Sequence, residues 1–213
     1  MTRDHDPFSQ ALVSLRERTT CGVYAPGQPI VMMREAKRLT LSVTPVREAL
    51  SCLSGEGLVE RAASGGYFAP RLNAAIIRDR YGFQVMCLGS ALRLAPPSQA
   101  RHSVGRAVRA RATFDQIVRR NGSPTLLDAY RRVALLLETF ASVEARLFLD
   151  HRDEALDLQR RHADRDAEGL IKALEHYHQR RIDLAAELLE MWNDRANVER
   201  QSHSSQPNLK GGS

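Results

Sequence analysis

A segment near the N-terminus, EAKRLTLSVTPVREALSCLSGEGL (residues 35–58), restricts the fold of this chain more than any other. The spacing of its apolar residues predicts two short helices separated by a tight turn. Ser42 and Thr44 are typical helix-capping residues, and Pro45 suits the first turn of the second helix, where its missing N–H costs little. Gly57 is predicted to end that helix as a capping glycine. A helix, a tight turn and a second capped helix predict helix-turn-helix geometry.

Turns marked by glycine and proline flank this segment on both sides. Pro26-Gly27 predicts a turn after a first helix, and Ser64-Gly65-Gly66 predicts a second turn further along the chain. Short strand candidates lie on either side of the second turn, at Val59 and at Tyr67-Phe68. A glycine-tipped hairpin after a helix-turn-helix predicts a small β-wing. Residues 1–72 are therefore expected to form a winged helix-turn-helix domain.

Beyond this hairpin the hydrophobic pattern is helical almost to the end of the chain. Apolar residues recur at steps of three and four over residues 126–147 and over residues 170–191, which predicts two amphipathic helices. Residues 76–95 are apolar on more than one face, which indicates a helix buried against two neighbours or across a dimer contact. Because none of these helices can bury its apolar stripe alone, an all-α antiparallel bundle is predicted over residues 73–198.

Three interruptions of the helical pattern are predicted, at Pro96-Pro97, at residues 121–124 and around residues 150–165. Residues 199–213 are polar and rich in glycine and serine, which predicts a disordered tail. The predicted fold class is therefore mainly α, with a winged helix-turn-helix domain followed by an all-helical bundle.

The overall charge favours a polyanionic partner, although most of the excess lies outside the winged domain. The 213 residues carry a net charge of +6. Residues 1–72 hold nine Lys/Arg against seven Asp/Glu, a difference of +2, whereas residues 73–135 hold eleven Arg against three Asp, a difference of +8. The pattern of turns and caps therefore carries more weight than the overall charge.

Composition disfavours several other classes of protein. No apolar run approaches the length of a membrane span, and the first residues carry acids where a signal peptide would be basic and then apolar. Cys21, Cys52 and Cys87 have unrelated spacings, which predicts buried thiols in a reducing compartment rather than disulfides or zinc ligands. The sequence contains no recognisable nucleophile–base arrangement, phosphate loop or pair of catalytic carboxylates. A cytoplasmic protein that is not an enzyme and has no cofactor is therefore expected.

The segment TPVREAL (residues 44–50), with Ser42 before it and LSGEGLVE (residues 53–60) after it, resembles the signature of GntR-family regulators. Ala25-Pro26-Gly27 is similar to the Pro-Gly turn of that family, and Ser64-Gly65-Gly66-Tyr67-Phe68 is similar to its glycine-tipped wing. The resemblance covers roughly residues 8–70. It implies a DNA-binding regulator whose second helix enters the major groove and whose wing lies in the minor groove.

The resemblance also implies roles for particular positions. Ser42, Thr44 and Arg47 match recognition-helix positions that contact phosphates and base edges, and an arginine there can bind guanine O6 and N7 through two hydrogen bonds. Val43 stands where the family often carries arginine, which removes one contact and predicts a different operator, with a thymine methyl group opposite Val43. The predicted DNA contacts are Arg34, Lys37, Arg38, Ser42, Val43, Thr44, Arg47, Gly65 and Gly66.

Some of these residues have structural alternatives. Arg47 could instead pair with Glu48 or Glu35 on the surface, and Ser42 and Thr44 could serve only as helix caps.

A helical domain of this size after a GntR-type winged helix resembles the FCD-type subgroup. That subgroup's helical domain dimerises and binds a small carboxylate, often with a metal held by an Asp and three His. Residues 114–133 are similar to the segment that carries the subgroup's motif, but Arg111 stands at the Asp position and Asp115 at the His position. The metal site is therefore degenerate. No metal is predicted, because a cation beside Arg111 would be electrostatically disfavoured.

The histidines leave a residual metal site open at the sequence level. His151, His176 and His178 are its candidate ligands, but His176 and His178 are two residues apart and cannot both face one bundle interior. His162 lies in a charged run and is expected in a solvated loop or at a helix end.

Two roles are open for Arg111 and Asp115, which are predicted to lie four residues apart on one inward helix face. The first is an ion pair between them that fills the space of the lost metal. The second is an effector site, in which Arg111 anchors an anionic ligand through two hydrogen bonds and Asp115 orients it.

Together these features predict a sequence-specific DNA-binding transcriptional regulator, a repressor that binds a palindromic operator as a homodimer. Its partners are expected to be double-stranded DNA and a small anionic metabolite, a carboxylate, in the helical domain, with no membrane involved. The alternative is an effector-independent DNA-binding dimer whose helical domain only dimerises.

Overall fold

The structure of the protein is a computed structural model that describes residues 6–94, 109–121 and 123–204. The chain divides into two compact units, the first formed by residues 1–72 with 190–213 and the second by residues 73–189. The predicted fold class, mainly α with a winged helix-turn-helix before a helical domain, is confirmed. The predicted break at Pro96-Pro97 lies outside the described residues, as does the last part of the predicted tail, 205–213.

The first unit begins with three helices and a three-stranded sheet. Its elements are α1 (Pro7–Thr20), β1 (Pro29–Ile30), α2 (Met32–Leu39), α3 (Val43–Gly55), β2 (Glu60–Arg61) and β3 (Tyr67–Phe68). Helices α1 and α2 pack on α3 and bury its apolar face, as the spacing of apolar residues predicts. The centre of this core is formed by Ala11, Leu15, Val46, Ala49, Leu50 and Leu53.

The end of α3 is fixed by Gly57, as the sequence predicts. Gly57 has a φ of 79°. The Leu58 N–H donates to the Leu53 carbonyl at 3.0 Å, and the Gly57 N–H donates to the Ser54 carbonyl at 3.1 Å. This pair of hydrogen bonds is the Schellman motif that closes a helix on a left-handed residue. At the other end Ser42 is the N-cap residue, but its side chain accepts no capping hydrogen bond, so that part of the capping prediction is wrong.

The turn between α2 and α3 places a threonine in the left-handed region. Thr40 has a φ of 58° and a ψ of 39°, a conformation that β-branched residues rarely adopt. The Leu41 N–H donates to the Ala36 carbonyl at 2.9 Å, so α2 ends with the same hydrogen-bond pattern as α3. The turn of the helix-turn-helix therefore holds backbone strain that the packing around it offsets.

The wing is an antiparallel sheet in the order β1-β3-β2. The predicted strands are confirmed at Tyr67-Phe68 and, one residue later than Val59, at Glu60-Arg61. Strand β1 has no signal in the sequence beyond the Pro-Gly turn before it, whose Gly27 N–H donates to the Ala69 carbonyl at 2.8 Å. This bond holds β1 against the hairpin.

The end of the last helix, α10 (Ala185–Ser204), belongs to the first unit from residue 190 onward. It packs closely on the turn after α1, where Gly22 has a φ of 72°. A Cβ atom on Gly22 would lie 2.5 Å from the Cβ of Ala196. Both Ala196 and Trp192 are buried. The predicted domain boundary at 198 and tail from 199 therefore differ from the structure, in which α10 continues to Ser204.

The second unit is entirely helical over its described residues. It contains α4 (Ala74–Leu94), α5 (Ala110–Asn121), α6 (Pro124–Glu138), α7 (Ala141–Leu147), α8 (His151–Asp164), α9 (Ala167–Asp183) and the start of α10. Helix α4 packs against α5, α6 and α9, which confirms, as far as Leu94, the prediction that residues 76–95 are buried against more than one neighbour. The interruption near 121–124 is also confirmed, because Ser123 caps α6 by accepting a hydrogen bond from the Leu126 N–H at 3.1 Å.

Three details of the helical prediction are wrong. The helix predicted over 126–147 breaks after Glu138, in a turn that buries both Thr139 and Phe140. The helix predicted over 170–191 breaks at Leu184. The interruption expected around 150–165 is helix α8, whose charged residues cover an outer face while its inner face buries Ala155, Leu158 and His162. A dense run of charges hid this apolar stripe in the sequence.

Replacing Thr40 by glycine is expected to raise the free energy of unfolding by roughly 1 kcal/mol, since glycine adopts the left-handed conformation without a Cβ penalty. Urea unfolding followed by the fluorescence of Trp192, the only tryptophan, measures the first unit directly. The control is Ser51→Gly, at an exposed interior position of α3, which is expected to lower the same free energy by about 0.5–1 kcal/mol. A Thr40→Gly protein no more stable than the wild type would contradict the strain assigned to this turn.

Candidate nucleic-acid interface and helical cavity

The N-terminal turn of α3 presents polar side chains to solvent. Ser42, Thr44 and Arg47 are exposed, and Val43 is half-buried between them. Because the Ser42 side chain does not cap the helix, the hydroxyl and the first N–H groups of α3 remain available to an anion. This helix end therefore has the chemistry of a phosphate-binding position, with a guanidinium one turn further along.

The basic residues of α2 and α3 fall into two groups. Arg47 has no ion pair or hydrogen bond to any described residue, so the predicted alternative of a pair with Glu48 or Glu35 is not formed. Arg34 and Lys37 are exposed and equally unpaired within the described part of the chain. These three cations are therefore available to an external partner.

Arg38 differs, because intramolecular contacts occupy its guanidinium. It donates to the Glu35 carboxylate at 2.7 Å and to the Ser14 hydroxyl at 2.9 Å. Glu35 is buried, and Arg18 of α1 approaches the same carboxylate oxygen at 3.5 Å. The free-energy cost of removing this carboxylate from water is offset by the two guanidinium groups, which also tie α2 to α1. Arg38 therefore has a structural role in addition to any contact with DNA.

Tyr24 belongs to the same cluster. Arg18 donates to the Tyr24 hydroxyl at 3.2 Å and also lies over the tyrosine ring, 5.3 Å from its centroid. Burial and the negative charge of Glu35 raise the pKa of Tyr24 to about 12. The phenol therefore stays protonated and neutral beside the carboxylate.

The wing tip is made of two glycines. Gly65 and Gly66 both have a φ of 89° and are exposed, and the Gly65 N–H donates to the Ala62 carbonyl at 3.0 Å. Arg61, on the adjacent strand β2, is exposed as well. Arg61 is not among the predicted DNA contacts, although a basic residue flanking a glycine-tipped turn is a recognisable signal for a minor-groove contact. The wing thus has a narrow tip with a cation beside it.

The helical unit contains a cavity of about 70 Å³ between α4, α5, α6, α7 and α9. Its charged lining consists of Arg111, Glu138 and Glu144, and its aromatic lining of Tyr81, Phe114 and Tyr177. Gln84 adds a buried amide. Of these residues only Arg111 was predicted to belong to a ligand site.

The predicted ion pair between Arg111 and Asp115 is wrong. Arg111 is paired with Glu138 and donates to the Ala134 carbonyl at 3.0 Å, while Asp115 accepts a hydrogen bond from the Tyr130 hydroxyl at 2.8 Å. Asp115 also does not line the cavity. The partners of Arg111 and of Asp115 all lie on α6, so the spacing of residues within α5 could not predict them.

A fully buried arginine lies next to the cavity. Arg181 donates to the Tyr177 carbonyl at 2.8 Å, and its guanidinium lies 3.3 Å from the centroid of the Tyr177 ring. Its charge is met by Glu144 at 3.2 Å and by Glu154 at 2.9 Å. Glu144 in turn accepts hydrogen bonds from the hydroxyls of Tyr81 and Tyr177. This network fixes one wall of the cavity.

His178 is fully buried behind the cavity. Its Nδ1 lies 2.7 Å from the Leu174 carbonyl, which can only accept, so Nδ1 carries a proton. Burial, with a smaller effect of Arg181, lowers the pKa of His178 to about 3. The imidazole is therefore neutral at physiological pH.

The other histidines do not gather into a metal site. His176 is exposed, and Nδ1 of His151 lies 3.0 Å from the Phe148 carbonyl. The solvated position expected for His162 is wrong, because this residue is buried on the inner face of α8. Across the described ranges, no three His, Cys, Asp or Glu side chains lie where they could hold one ion. The residues present, with Arg111 in the lining, do not fit the metal of the subgroup.

Two remaining sequence predictions concern cysteines and membranes. Cys87 is buried, but Cys21 and Cys52 are only half-buried, so the prediction of three buried thiols is wrong in part. Burial and the neighbouring Glu56 raise the pKa of Cys52. Among the described helices, none is long and apolar enough to cross a bilayer.

Comparison with known proteins supports the geometry of the first unit. Residues 9–68 match the family described as bacterial regulatory proteins, gntR family. Over 72 residues the chain is 39% identical to the Nta operon transcriptional regulator of Aminobacter aminovorans, an alignment that covers 34% of each chain. The chain thus spans about a third of the length of this curated relative.

One solved structure shares the fold over most of the chain. The McbR/YncC protein of E. coli matches with a TM-score of 0.59 and 17% identity, covering 85% of this chain and 98% of that one. A transcriptional regulator described as a GntR family member, from Pseudomonas syringae pv. tomato, matches with a TM-score of 0.43, 17% identity and 86% of each chain. At 17% identity the likeness to the McbR/YncC protein concerns the fold alone.

The neutral state of His178 predicts a pH-dependent stability. Its pKa is about 3 in the folded protein and 6.5 for the exposed side chain, so the unfolded state takes up a proton first as the pH falls. The contribution of His178 to the free energy of unfolding is therefore complete above pH 6.5. It falls progressively below that pH, by about 2 kcal/mol between pH 7 and pH 5. Urea unfolding followed by circular dichroism measures this loss.

The matched variants are His178→Gln, expected to remove this pH dependence, and His176→Gln, at an exposed position two residues away, expected to keep it. A wild-type protein equally stable at pH 5 and pH 7 would contradict the assignment of a neutral buried imidazole.

Proposed function

Residues 9–68 form a helix-turn-helix domain of the GntR family, and on this premise we propose that the protein is a sequence-specific, DNA-binding regulator of transcription. The observation that carries the proposal is the N-terminal turn of α3. It presents Ser42, Thr44 and Arg47 to solvent, and the arginine has no partner among the residues that the structure describes. A helix of this kind lies in the major groove with its first residues on the base edges.

Each exposed group has a contact that its chemistry favours. Arg47 binds a guanine through two hydrogen bonds, while the half-buried Val43 packs on a thymine methyl group. Ser42 and Thr44 bind phosphate oxygens together with the free N–H groups of α3. Arg34 and Lys37 on α2 bind the phosphate backbone, because they are exposed and unpaired within the described chain.

The neighbours of Arg38 and of the two wing glycines refine the roles predicted for them in DNA binding. Arg38 contributes to DNA binding mainly by holding α2 against α1 through the Ser14 hydroxyl. Gly65 and Gly66 allow the wing tip to enter the minor groove, with Arg61 as the cation beside it.

We further propose that the protein acts as a homodimer on a palindromic operator. A groove of about 460 Å³ on the helical unit is lined by Phe83 of α4 and by the outer face of α6. Phe83 is 44% exposed and Met86, one turn along, is 66% exposed. Apolar side chains of this size at an open groove favour a protein partner.

The charges at this groove favour a second copy of the chain as that partner. Asp128 and Arg132 both line the groove and lie four residues apart on α6. When two copies of α6 meet antiparallel about a two-fold axis, Asp128 of each faces Arg132 of the other. The resulting dimer presents two recognition helices, which matches an operator with two symmetric half-sites.

The proposed action is repression in the bacterial cytoplasm, where the operator DNA lies, with release when an effector binds the cavity of the helical unit. A ligand changes operator affinity only by its differential affinity for two dimer geometries. The alternative is a constitutive dimer whose helical unit only dimerises. A cavity lined by Arg111, Glu138, Glu144 and the buried amide of Gln84 favours an effector, because these groups offer a small ligand both charges and hydrogen bonds.

Operator selection from random duplex DNA with the purified protein tests the DNA-binding proposal. On the selected operator, Arg47→Ala is expected to reduce the preference over random duplex by about 10- to 100-fold, because a bidentate base contact is lost. Lys37→Ala is expected to weaken binding to the operator and to random duplex about equally. It is also expected to reduce the salt dependence of binding by about one phosphate contact.

The control is Arg160→Ala, an arginine of α8 whose one ion pair within the described part of the chain is with Asp157, three residues before it. Its DNA affinity is expected to equal that of the wild type. An unchanged preference in Arg47→Ala, or a wild-type protein with no preference over random duplex at physiological salt, would overturn the proposal.

The dimer proposal predicts that Phe83→Asp dissociates the protein into monomers, because the substitution places a carboxylate in the apolar groove. Sedimentation equilibrium measures the change. The matched control is Leu149→Asp, which alters a leucine that is 88% exposed outside the groove and is expected to leave the dimer intact. A Phe83→Asp protein that sediments like the wild type would assign the dimer contact to another surface.

A further inference from the structure

The cavity of the helical unit has a lining that the sequence did not predict, and its chemistry identifies the class of ligand. Gln84 of α4 is 5% exposed and lines the cavity. One end of its amide lies 3.1 Å from Nε2 of His178. The other end has no partner among the described residues, so it is a buried polar atom that only a ligand or water can satisfy.

The state of His178 decides which end of the amide is free. With its proton on Nδ1 toward the Leu174 carbonyl, the neutral imidazole has only a lone pair on Nε2. The contact at 3.1 Å therefore requires a donor. A 180° rotation of the Gln84 amide supplies one, because the oxygen and nitrogen of a carboxamide occupy the same shape. The free end is then the carbonyl oxygen, an acceptor.

The tyrosines of the lining are acceptors toward the cavity as well. The hydroxyls of Tyr81 and Tyr177 both donate to Glu144, which leaves their oxygen lone pairs for another group. Burial and the charge of Glu144 raise the pKa of both phenols well above the usual value, so neither becomes a phenolate.

The charged groups of the lining also favour a cation over an anion. Glu138 and Glu144 line the cavity against a single guanidinium, Arg111, which is already paired with Glu138 and bonded to the Ala134 carbonyl. Behind the wall, Glu144 and Glu154 share Arg181, and Arg180 also pairs with Glu154 at 2.6 Å, so the charges of that group balance. A carboxylate ligand would have to displace Glu138 from Arg111 beside a second carboxylate.

Three aromatic rings complete the lining, those of Tyr81, Phe114 and Tyr177. Aromatic faces attract organic cations and repel anions through their quadrupole. A group with several N–H donors, one positive charge and a short alkyl chain thus matches the acceptors, the carboxylates and the rings together.

We propose that this cavity binds a small organic ammonium ion. The inference rests on the proposed effector function and deepens it, since it replaces the anionic effector expected from the sequence by a cationic one. The ammonium group donates to the Gln84 carbonyl and to the carboxylates of Glu138 and Glu144, and its alkyl chain packs on the aromatic rings. The volume of about 70 Å³ accommodates a ligand of a few non-hydrogen atoms, or the amino end of a larger one.

The test compares three probes of similar size by isothermal titration calorimetry on the full-length protein: propylammonium, 1-propanol and acetate. Propylammonium is expected to bind with a dissociation constant of roughly 1–10 mM, and the other two at least tenfold more weakly. Glu138→Gln is expected to lower the affinity for propylammonium about tenfold. It is expected to raise the affinity for acetate, because Arg111 loses its carboxylate partner. Gln84→Met, which removes the acceptor and keeps the size, is expected to weaken propylammonium about fivefold.

The matched control is Glu168→Gln, which makes the same change of charge on an exposed residue of α9 that pairs with Lys172. It is expected to leave all three affinities unchanged. A preference for acetate or propanol, or no binding of any probe at about 0.1 M, overturns the ligand class. Operator preference in the same preparation tests the DNA-binding proposal separately, since it depends on the winged domain and not on the probe.

Discussion

The dehydrated guanidinium of Arg181 is the constraint on which the helical unit depends. A buried cation is tolerated only when opposite charges and hydrogen-bond acceptors surround it. Arg181 therefore requires Glu144 from α7 and Glu154 from α8 at fixed positions, and the rings of Tyr177 and Phe148 against its faces. Three helices are thereby held in register around one charge. The cavity is a consequence, because the Glu144 carboxylate that neutralises Arg181 also orients the tyrosine hydroxyls that line it.

The winged unit also contains a buried charge, but of the opposite sign. Its buried charge is the Glu35 carboxylate, and Arg18 and Arg38 neutralise it from two helices. This arrangement divides the basic residues by role. Arg18 and Arg38, which hold the fold, point inward at Glu35, whereas Arg47 and Lys37 are exposed and have no partner among the described residues. Counting basic residues in the sequence cannot make this division, which explains why net charge is a poor guide to the DNA-binding surface.

Local signals in the sequence predicted the winged unit well, because its helix ends depend on residues close together in the chain. Gly57 closes α3, and Gly65-Gly66 forms the wing tip, since both need left-handed backbone that glycine adopts freely. Predictions that required a partner from another helix failed. Arg111 and Asp115 share a helix face, yet each is satisfied from α6, by Glu138 and Tyr130. Likewise the charges of α8 suggested a loop, because the apolar neighbours that bury its inner face are distant in sequence.

The positions of α4 and α6 connect the two proposed activities of the helical unit. Gln84 of α4 and Glu138 of α6 line the cavity, whereas Phe83 and Arg132 of the same two helices line the external groove. A ligand that binds Glu138 competes with Arg111 for that carboxylate and thereby changes what holds α5 to α6. Since close-packed helices shift as units rather than deform, a displacement of α6 at the cavity also displaces its outer face. The proposed effector site and the proposed dimer surface thus share two helices, through which a ligand at one would act on the other.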